Sequence, residues 1–270
     1  MHPLGVHSHL YRGGPAAVAE AVRGAGLDCV QLTPNFPGLP FHDLEQITPE
    51  RCCQASAPFL AIGIEIAALS SQAQLLDPDL DRRHRGILRL HKLLRHARNF
   101  GATVIVAEAG GPETTVEAPS WLLGSELCLI LEAALRIAVE ADVRLLLKPG
   151  LWLSGCEQAL ALHQALGHPN FGFVLDPAGW LRESTTTDLL GDLDRLVEQL
   201  GPVAPLIYAK DLRFERDGPV TPRAGRGELD YGVFFRLLDR VQPGAPVILE
   251  HLRPEDVGAS AAYLRGFIHT

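Results

Sequence analysis

The sequence predicts an α/β chain folded as a single (β/α)8 TIM barrel spanning 1–270. Three observations carry this. Apolar runs in the second half each stop at a charge: Leu145-Leu146-Leu147-Lys148, Phe173-Val174-Leu175-Asp176, Leu206-Ile207-Tyr208-Ala209-Lys210-Asp211 and Val247-Ile248-Leu249-Glu250. Amphipathic stretches of helix length separate such runs, the pattern of buried parallel strands joined by helical crossovers. The length of 270 residues suits one such barrel with little left over for a second domain. A charge at the carboxyl end of several strands is how this barrel assembles a site, because those ends converge on one mouth.

The elements follow in order. Leu4 to His9 reads as the first strand. Pro15 to Ala25 is helical, with Gly26 in the stop position. Asp28 to Thr33 is the second strand, and Pro34 to Pro40 is a loop. Leu60 to Ala67 is the third apolar run. Asp79 to Phe100 carries Ile87, Leu88, Leu90, Leu93, Leu94 and Ala97 on one helical face, and Gly101 ends it. Ala102 to Ala107 is the fourth strand. A helix over Ser120 to Ala141 precedes the fifth strand, Arg144 to Lys148. Cys156 to Leu166 is helical, Phe171 to Asp176 a strand, Thr187 to Leu200 a helix and Leu206 to Asp211 a strand. Leu229 to Val241, Val247 to Glu250 and Pro254 to Ile268 complete the series as helix, strand and helix. No GxGxxG or GxxxxGKS sequence follows any strand, so a nucleotide-binding sheet has no support.

Composition narrows the partners. Apolar residues make up 47 % and charged residues 21 %, enough for one large core and unlike a disordered chain. The formal net charge of −8 argues against a nucleic-acid partner. No run approaches the roughly 18 apolar residues of a membrane span, so no membrane partner is expected. The start MHPLGVHSHLY lacks the basic and apolar regions of a signal peptide. Cys29, Cys52, Cys53, Cys128 and Cys156 are odd in number and form no CxxC pair, which suits a reducing cytoplasm and small buried thiols. Of the 24 basic residues only Lys92, Lys148 and Lys210 are lysines, and two of them end strands. Lys can lose its proton when buried and Arg cannot, so those two positions invite a chemical reading.

Four stretches then carry a resemblance: His168-Pro169-Asn170-Phe171-Gly172-Phe173-Val174-Leu175-Asp176, Tyr208-Ala209-Lys210-Asp211, Gly225-Arg226-Gly227-Glu228-Leu229-Asp230-Tyr231 and Val247-Ile248-Leu249-Glu250-His251. In this order and spacing they resemble the sugar-phosphate isomerase/epimerase superfamily, the xylose isomerase-like TIM barrels. That family usually holds one divalent metal through a Glu ending strand five, an Asp ending strand six, a His in strand seven and a Glu ending strand eight. The resemblance implies that Asp176 and Glu250 take two of these places, while Lys148 and Tyr208 stand at the other two. Two carboxylates, a neutral phenol and an ammonium make a poor shell for Mn²⁺ or Mg²⁺, because metal ligands must be deprotonated. The expectation is a degenerate metal site with no cofactor, in which Lys148, flanked by Asp176 and Glu250, replaces the metal. The alternative keeps Mn²⁺ or Mg²⁺ on Asp176, Glu250 and Glu108.

The resemblance implies an isomerase, epimerase or lyase-like enzyme acting on a small polyol, keto-sugar or related carbonyl compound. Glu250 or Asp176 would move a proton beside a carbonyl whose oxygen Lys148 and Tyr208 polarise. A non-catalytic descendant that binds a metabolite or a partner is the alternative, and a homo-oligomer is open by the same analogy. Substrate contacts are expected from His7, Glu108, Trp180, Lys210 and Arg223, with Trp152 as a second aromatic wall. Each has a structural alternative: a rim ion pair for Lys210-Asp211, a satisfied histidine for His7 or His9, a solvated loop for Arg213, Arg216, Arg223 and Arg226. Glu108 precedes Gly110-Gly111, whose amides are suited to an anion. Glu65 lies in the third run without a defined direction. Strand alternation turns His251 away from Glu250.

Overall fold

The computed structural model describes residues 1–110, 126–150, 153, 155–182 and 188–268. Eight parallel strands close a barrel: β1 (Leu4–His7), β2 (Cys29–Leu32), β3 (Glu65–Gln74), β4 (Val104–Glu108), β5 (Arg144–Lys148), β6 (Phe171–Leu175), β7 (Leu206–Ala209) and, after a small hairpin, β10 (Val247–Leu249). β10 pairs with β1 and β7, which shuts the ring. Around it lie α1 (Pro15–Gly24), α2 (Pro49–Ala61), α3 (Leu80–His96), α4 (Glu126–Glu140), α5 (Cys156–Leu166), the single turn α6 (Pro177–Trp180), α7 (Leu189–Leu200), α8 (Tyr231–Val241) and α9 (Val257–Arg265). The hairpin β8 (Arg213–Glu215) and β9 (Gly218–Val220) stands after β7.

Three of the helices start where an Asp side chain takes up free amides. Asp79 accepts from Asp81 and Arg82 ahead of α3, Asp188 from Gly191 ahead of α7, and Asp230 from Val233 ahead of α8. Each then buries one stripe, such as Leu90, Leu93 and Leu94 of α3 or Phe234, Phe235 and Leu238 of α8. The expected strand over Leu60–Ala67 is corrected. That apolar run is the last turn of α2, a stop at Gly63 in the left-handed region (φ +80) and the start of β3. Pro58 inside α2 hides the helix from its sequence pattern. The hairpin, which the sequence reading leaves in the loop, turns at Arg216-Asp217, with Gly218 at φ +121. The amino end of the expected helix over 120–141, the residues Gly111 and Trp152, and Thr187 lie outside the described residues.

Strand alternation decides what faces the axis. Cys29, Ala68, Val106, Leu146, Val174, Leu206, Tyr208 and Ile248 form a buried cluster inside the barrel, while their outward neighbours join the larger core under the helices. Two residues further along the same faces come Gln31, Ser70, Glu108, Lys148, Asp176, Lys210 and Glu250. Each of these seven groups is therefore the next inward position above an apolar layer. At the opposite end space is tight. A Cβ on Gly172 would stand 2.3 Å from the Val203 carbonyl oxygen.

Gly172→Ala is therefore expected to lower stability by about 1–3 kcal/mol through overpacking. A urea midpoint unchanged from the native protein would contradict that reading.

Candidate functional site

Strand order explains which charges meet. β7 runs between β6 and β10 in the barrel, so a long side chain at its carboxyl end reaches the carboxylates that end both neighbours. Lys210 Nζ lies 2.7 Å from Asp176 Oδ2 and 2.8 Å from Glu250 Oε2. β5 borders β4 and β6 only, and Lys148 stands in register with Glu108 of β4. Its Nζ lies 3.1 Å from Glu108 Oε1. The expected place of Lys148 between Asp176 and Glu250 is thus corrected: Lys210 holds it, because only β7 touches both strands.

The remaining oxygens of this cluster are also engaged. The His7 Nε2–H donates to Glu250 Oε1 at 3.0 Å, and the Gly179 amide donates to Asp176 Oδ1 at 3.0 Å. Asp176 and Lys210 are buried, with 2 % and 8 % of their surface exposed. Burial works against the Lys210 charge, but the two carboxylates outweigh it and hold the ammonium above its ordinary range. Burial likewise works against Glu250, and Lys210 with the His7 N–H overcomes it, so Glu250 is held well below the usual carboxylate range. Asp176 goes the other way, pushed up by burial and by Glu250 against the pull of Lys210. The split follows the donors: Glu250 has His7 and the nearby Lys148 besides Lys210, whereas Asp176 has one backbone amide.

Above this floor opens a cleft of about 390 Å³ lined by His7, His9, Gln31, Thr33, Ser70, Gln72, Val106, Glu108, Lys148, Tyr208, Glu250, His251 and Leu252. Its charged groups are the Glu108–Lys148 pair, each side chain 32 % exposed, and Glu250. Tyr208 is buried with its ring edge-on to His7, and burial, with Glu250 adding to it, raises its phenol well above its ordinary range. The phenol is therefore a proton donor throughout the neutral range. His9, hydrogen-bonded through Nδ1 to the Thr33 hydroxyl at 3.2 Å, is lowered by burial and then by His7, and is the neutral imidazole near pH 7. Gln31 donates through Nε2 to Ser70 Oγ at 2.9 Å, and among the described residues neither its Oε1 nor His7 Nδ1 has a hydrogen-bond partner.

Several expected contacts fall elsewhere. Trp180 is buried on α6 behind the barrel wall, where its Nε1–H donates to the Val174 carbonyl at 2.9 Å and its ring meets Phe173 edge-on. Its indole serves the core, since the outward face of β6 draws it away from the mouth. Arg223 turns to the last helical layer, with Asp256 at 3.1 Å and the Ser260 hydroxyl at 3.2 Å. Arg213 pairs with Glu215 along the same strand, β8, of the hairpin. Lys210 and Asp176 lie beneath the cleft and do not line it. Glu65 is exposed at the start of β3, at the end away from the mouth. His251 does line the cleft, because it lies past β10 at φ +53, where strand alternation no longer applies, and its Nδ1–H donates to the Thr221 carbonyl at 3.0 Å. Gln31, Thr33, Ser70 and Gln72 escaped the sequence reading because neutral polar residues at strand ends carry no charge signal.

Asp211 is a loop clamp and not a rim ion pair. Its Oδ1 accepts from the Leu212 and Leu229 amides and its Oδ2 from those of Gly225 and Arg226, at 3.0 to 3.1 Å.

The donor set does not fit a divalent cation. The carboxylates at two of the four places share one ammonium, and an ammonium and a phenol stand at the other two. Glu108, the alternative third ligand, is paired with Lys148. Among the described residues no three His, Cys, Asp or Glu side chains are gathered for a metal ion.

The comparisons with known proteins agree with this architecture. The family model described as xylose isomerase-like TIM barrel matches residues 19–267, and the chain belongs to that family. No curated protein sequence matches it. Among solved structures it is similar to 3-keto-D-glucoside 4-epimerase from E. coli, with a TM-score of 0.76 at 15 % identity over 98 % of this chain and 100 % of that one. It is similar to a xylose isomerase-like TIM barrel protein from Mycobacterium smegmatis in complex with magnesium, with a TM-score of 0.75 at 15 % identity over 99 % and 95 % of the two chains. It is also similar to D-psicose 3-epimerase in the presence of D-fructose, with a TM-score of 0.73 at 12 % identity over 98 % and 99 %. At these identities the likeness is one of fold. No helix among the described residues is long and apolar enough to cross a membrane.

Asp211→Ala leaves several amides without an acceptor and is expected to cost about 2–4 kcal/mol, since hydrogen bonds to a charged group contribute about 1.5–3 kcal/mol each and water replaces part of the loss. Guanidinium unfolding measures it, and a loss under about 1 kcal/mol would remove the clamp role.

Proposed function

We propose that the chain is an isomerase- or epimerase-like enzyme that moves a proton beside the carbonyl of a small polyol-derived or keto-sugar compound, without the four-ligand divalent ion usual in its family. One observation carries this reading. An ammonium (Lys148), a protonated phenol (Tyr208) and a carboxylate paired with that ammonium (Glu108) face one cleft at the carboxyl ends of the barrel strands. Its volume of about 390 Å³ falls in the range of small-metabolite pockets. The solved relatives include sugar epimerases by name, which favours the same substrate class.

In this mechanism Lys148 and Tyr208 hydrogen-bond the carbonyl oxygen and stabilise the charge that gathers there as the adjacent carbon loses its proton. Glu108 takes that proton. Glu250 is less suited, because Lys210 and His7 hold it ionised and weakly basic. Return of the proton to the former carbonyl carbon, while the hydroxyl on the deprotonated carbon passes its proton to the first oxygen and becomes the new carbonyl, gives isomerisation. Return from the other side, with neutral His9 as a relay, gives epimerisation. Asp176 and Lys210 set the floor and do not touch the substrate. Five cysteines, odd in number and with no CxxC pair, fit a reducing compartment, which favours the cytoplasm.

The test is solvent deuterium incorporation into a panel of keto-sugars and inososes, read by proton NMR. Exchange beside the carbonyl is expected with the native chain, with a fall of about 10²–10⁴-fold in Glu108→Gln and about 10²–10³-fold in Lys148→Ala. Full exchange in either variant removes that residue from the mechanism. A second reading, a metabolite-binding descendant without turnover, is favoured by the tying of both ancestral carboxylates to Lys210. Saturable binding with no exchange would select it.

A further inference from the structure

In the cluster of Asp176, Lys210 and Glu250 all four carboxylate oxygens have a donor, and the mechanism above uses none of the three residues on the substrate. Lys210 Nζ takes Asp176 Oδ2 and Glu250 Oε2, the two oxygens that a cation bridging β6 and β10 would need. The other oxygen of each carboxylate already accepts a hydrogen bond, from Gly179 or from His7. A divalent ion could enter only by displacing the ammonium, and two cations side by side in a buried site are costly. Lys148, tied to Glu108 but close enough to pull on Glu250, adds a further positive charge on the cleft side.

We infer that Lys210 is a resident cation that does the electrostatic work of a divalent metal between Asp176 and Glu250 and excludes one, so that removing its charge converts the same carboxylates into a divalent-cation site. This rests on the metal-independent reading of the site given above. Loss of the ammonium leaves two hard carboxylate oxygens, Asp176 Oδ2 and Glu250 Oε2, without their partner at the floor of the cleft, and such oxygens suit Mn²⁺ or Mg²⁺. The ammonium also holds β6, β7 and β10 together at the mouth, as a bridging metal would.

The experiment uses the full chain with Mn²⁺ alone as the probe, and reads bound metal by elemental analysis after dialysis and by the paramagnetic signal of the ion. The native protein and Lys210→Arg are expected to retain none. Lys210→Met is expected to retain stoichiometric Mn²⁺, to lose it again in Lys210→Met/Glu250→Gln, and to show a Tm that rises with Mn²⁺ concentration. If Lys210→Met does not fold alone, it is refolded from urea with and without the ion, and folding only with Mn²⁺ is the same result. Native protein that retains Mn²⁺ in a Glu250-dependent way overturns the inference. So does folded Lys210→Met that takes up none, or failure to refold in both conditions while Asp176→Asn/Lys210→Met/Glu250→Gln refolds. None of these readings depends on turnover. Absence of deuterium exchange would remove the proposed enzyme function and leave Lys210 in place, whereas exchange by a native chain that holds Mn²⁺ would do the reverse.

Discussion

One buried ammonium organises the mouth of this barrel. Lys210 joins the carboxylates ending β6 and β10 because β7 lies between those strands. Without it, two nearly solvent-free carboxylates would face each other. Breaking such a buried pair by removing one partner costs about 3–5 kcal/mol, because an uncompensated charge is left behind. The cluster is thus a requirement of the fold before it is a feature of any chemistry. Its geometry is held further by the Tyr231 hydroxyl on the Lys210 carbonyl at 2.9 Å and by the Asp211 clamp one residue on.

That constraint divides the polar groups at the mouth into two layers. Asp176 and Lys210 are spent on each other and form a floor. Glu250 belongs to both layers, with one oxygen on Lys210 and the other on His7 at the cleft. Glu108, Lys148, Tyr208 and His9 remain for a ligand and offer three kinds of group: a half-buried ion pair, a protonated phenol and a neutral imidazole. A site of this composition binds through hydrogen bonds and one charge pair, where a metal would bind by chelation. Under the proposed function its ligand carries a carbonyl beside an acidic C–H bond.

Much of the fold was legible because a buried parallel strand writes itself as an apolar run ending in a charge. β5 and α5 lie where the pattern put them. α2 was not legible, because Pro58 and the apolar stretch after it obscure where the helix ends and β3 begins. The positions ringing the mouth were legible as charges, but which cation meets which carboxylate was not. Sequence places Lys148 and Lys210 at equivalent strand ends, and only the ring order, with β7 between β6 and β10, separates them. Trp180 and Arg223 misled for a related reason. Residues just past a strand end go to the cleft or to the helical layer according to the turn that follows, and the single turn α6 and the Asp256 partner send these two outward.

The central claim is that Lys210 is a charged, solvent-shielded ammonium bonded to both carboxylates. Lysine side-chain ¹⁵N NMR tests it directly, because Lys92, Lys148 and Lys210 are the only lysines in the chain. The account predicts one ammonium signal with protons exchanging slowly enough to couple to nitrogen near neutral pH, absent in Lys210→Arg and shifted in Glu250→Gln. Three signals that all exchange with water as exposed lysines do, or a Lys210 nitrogen that reports a neutral amine, would contradict it.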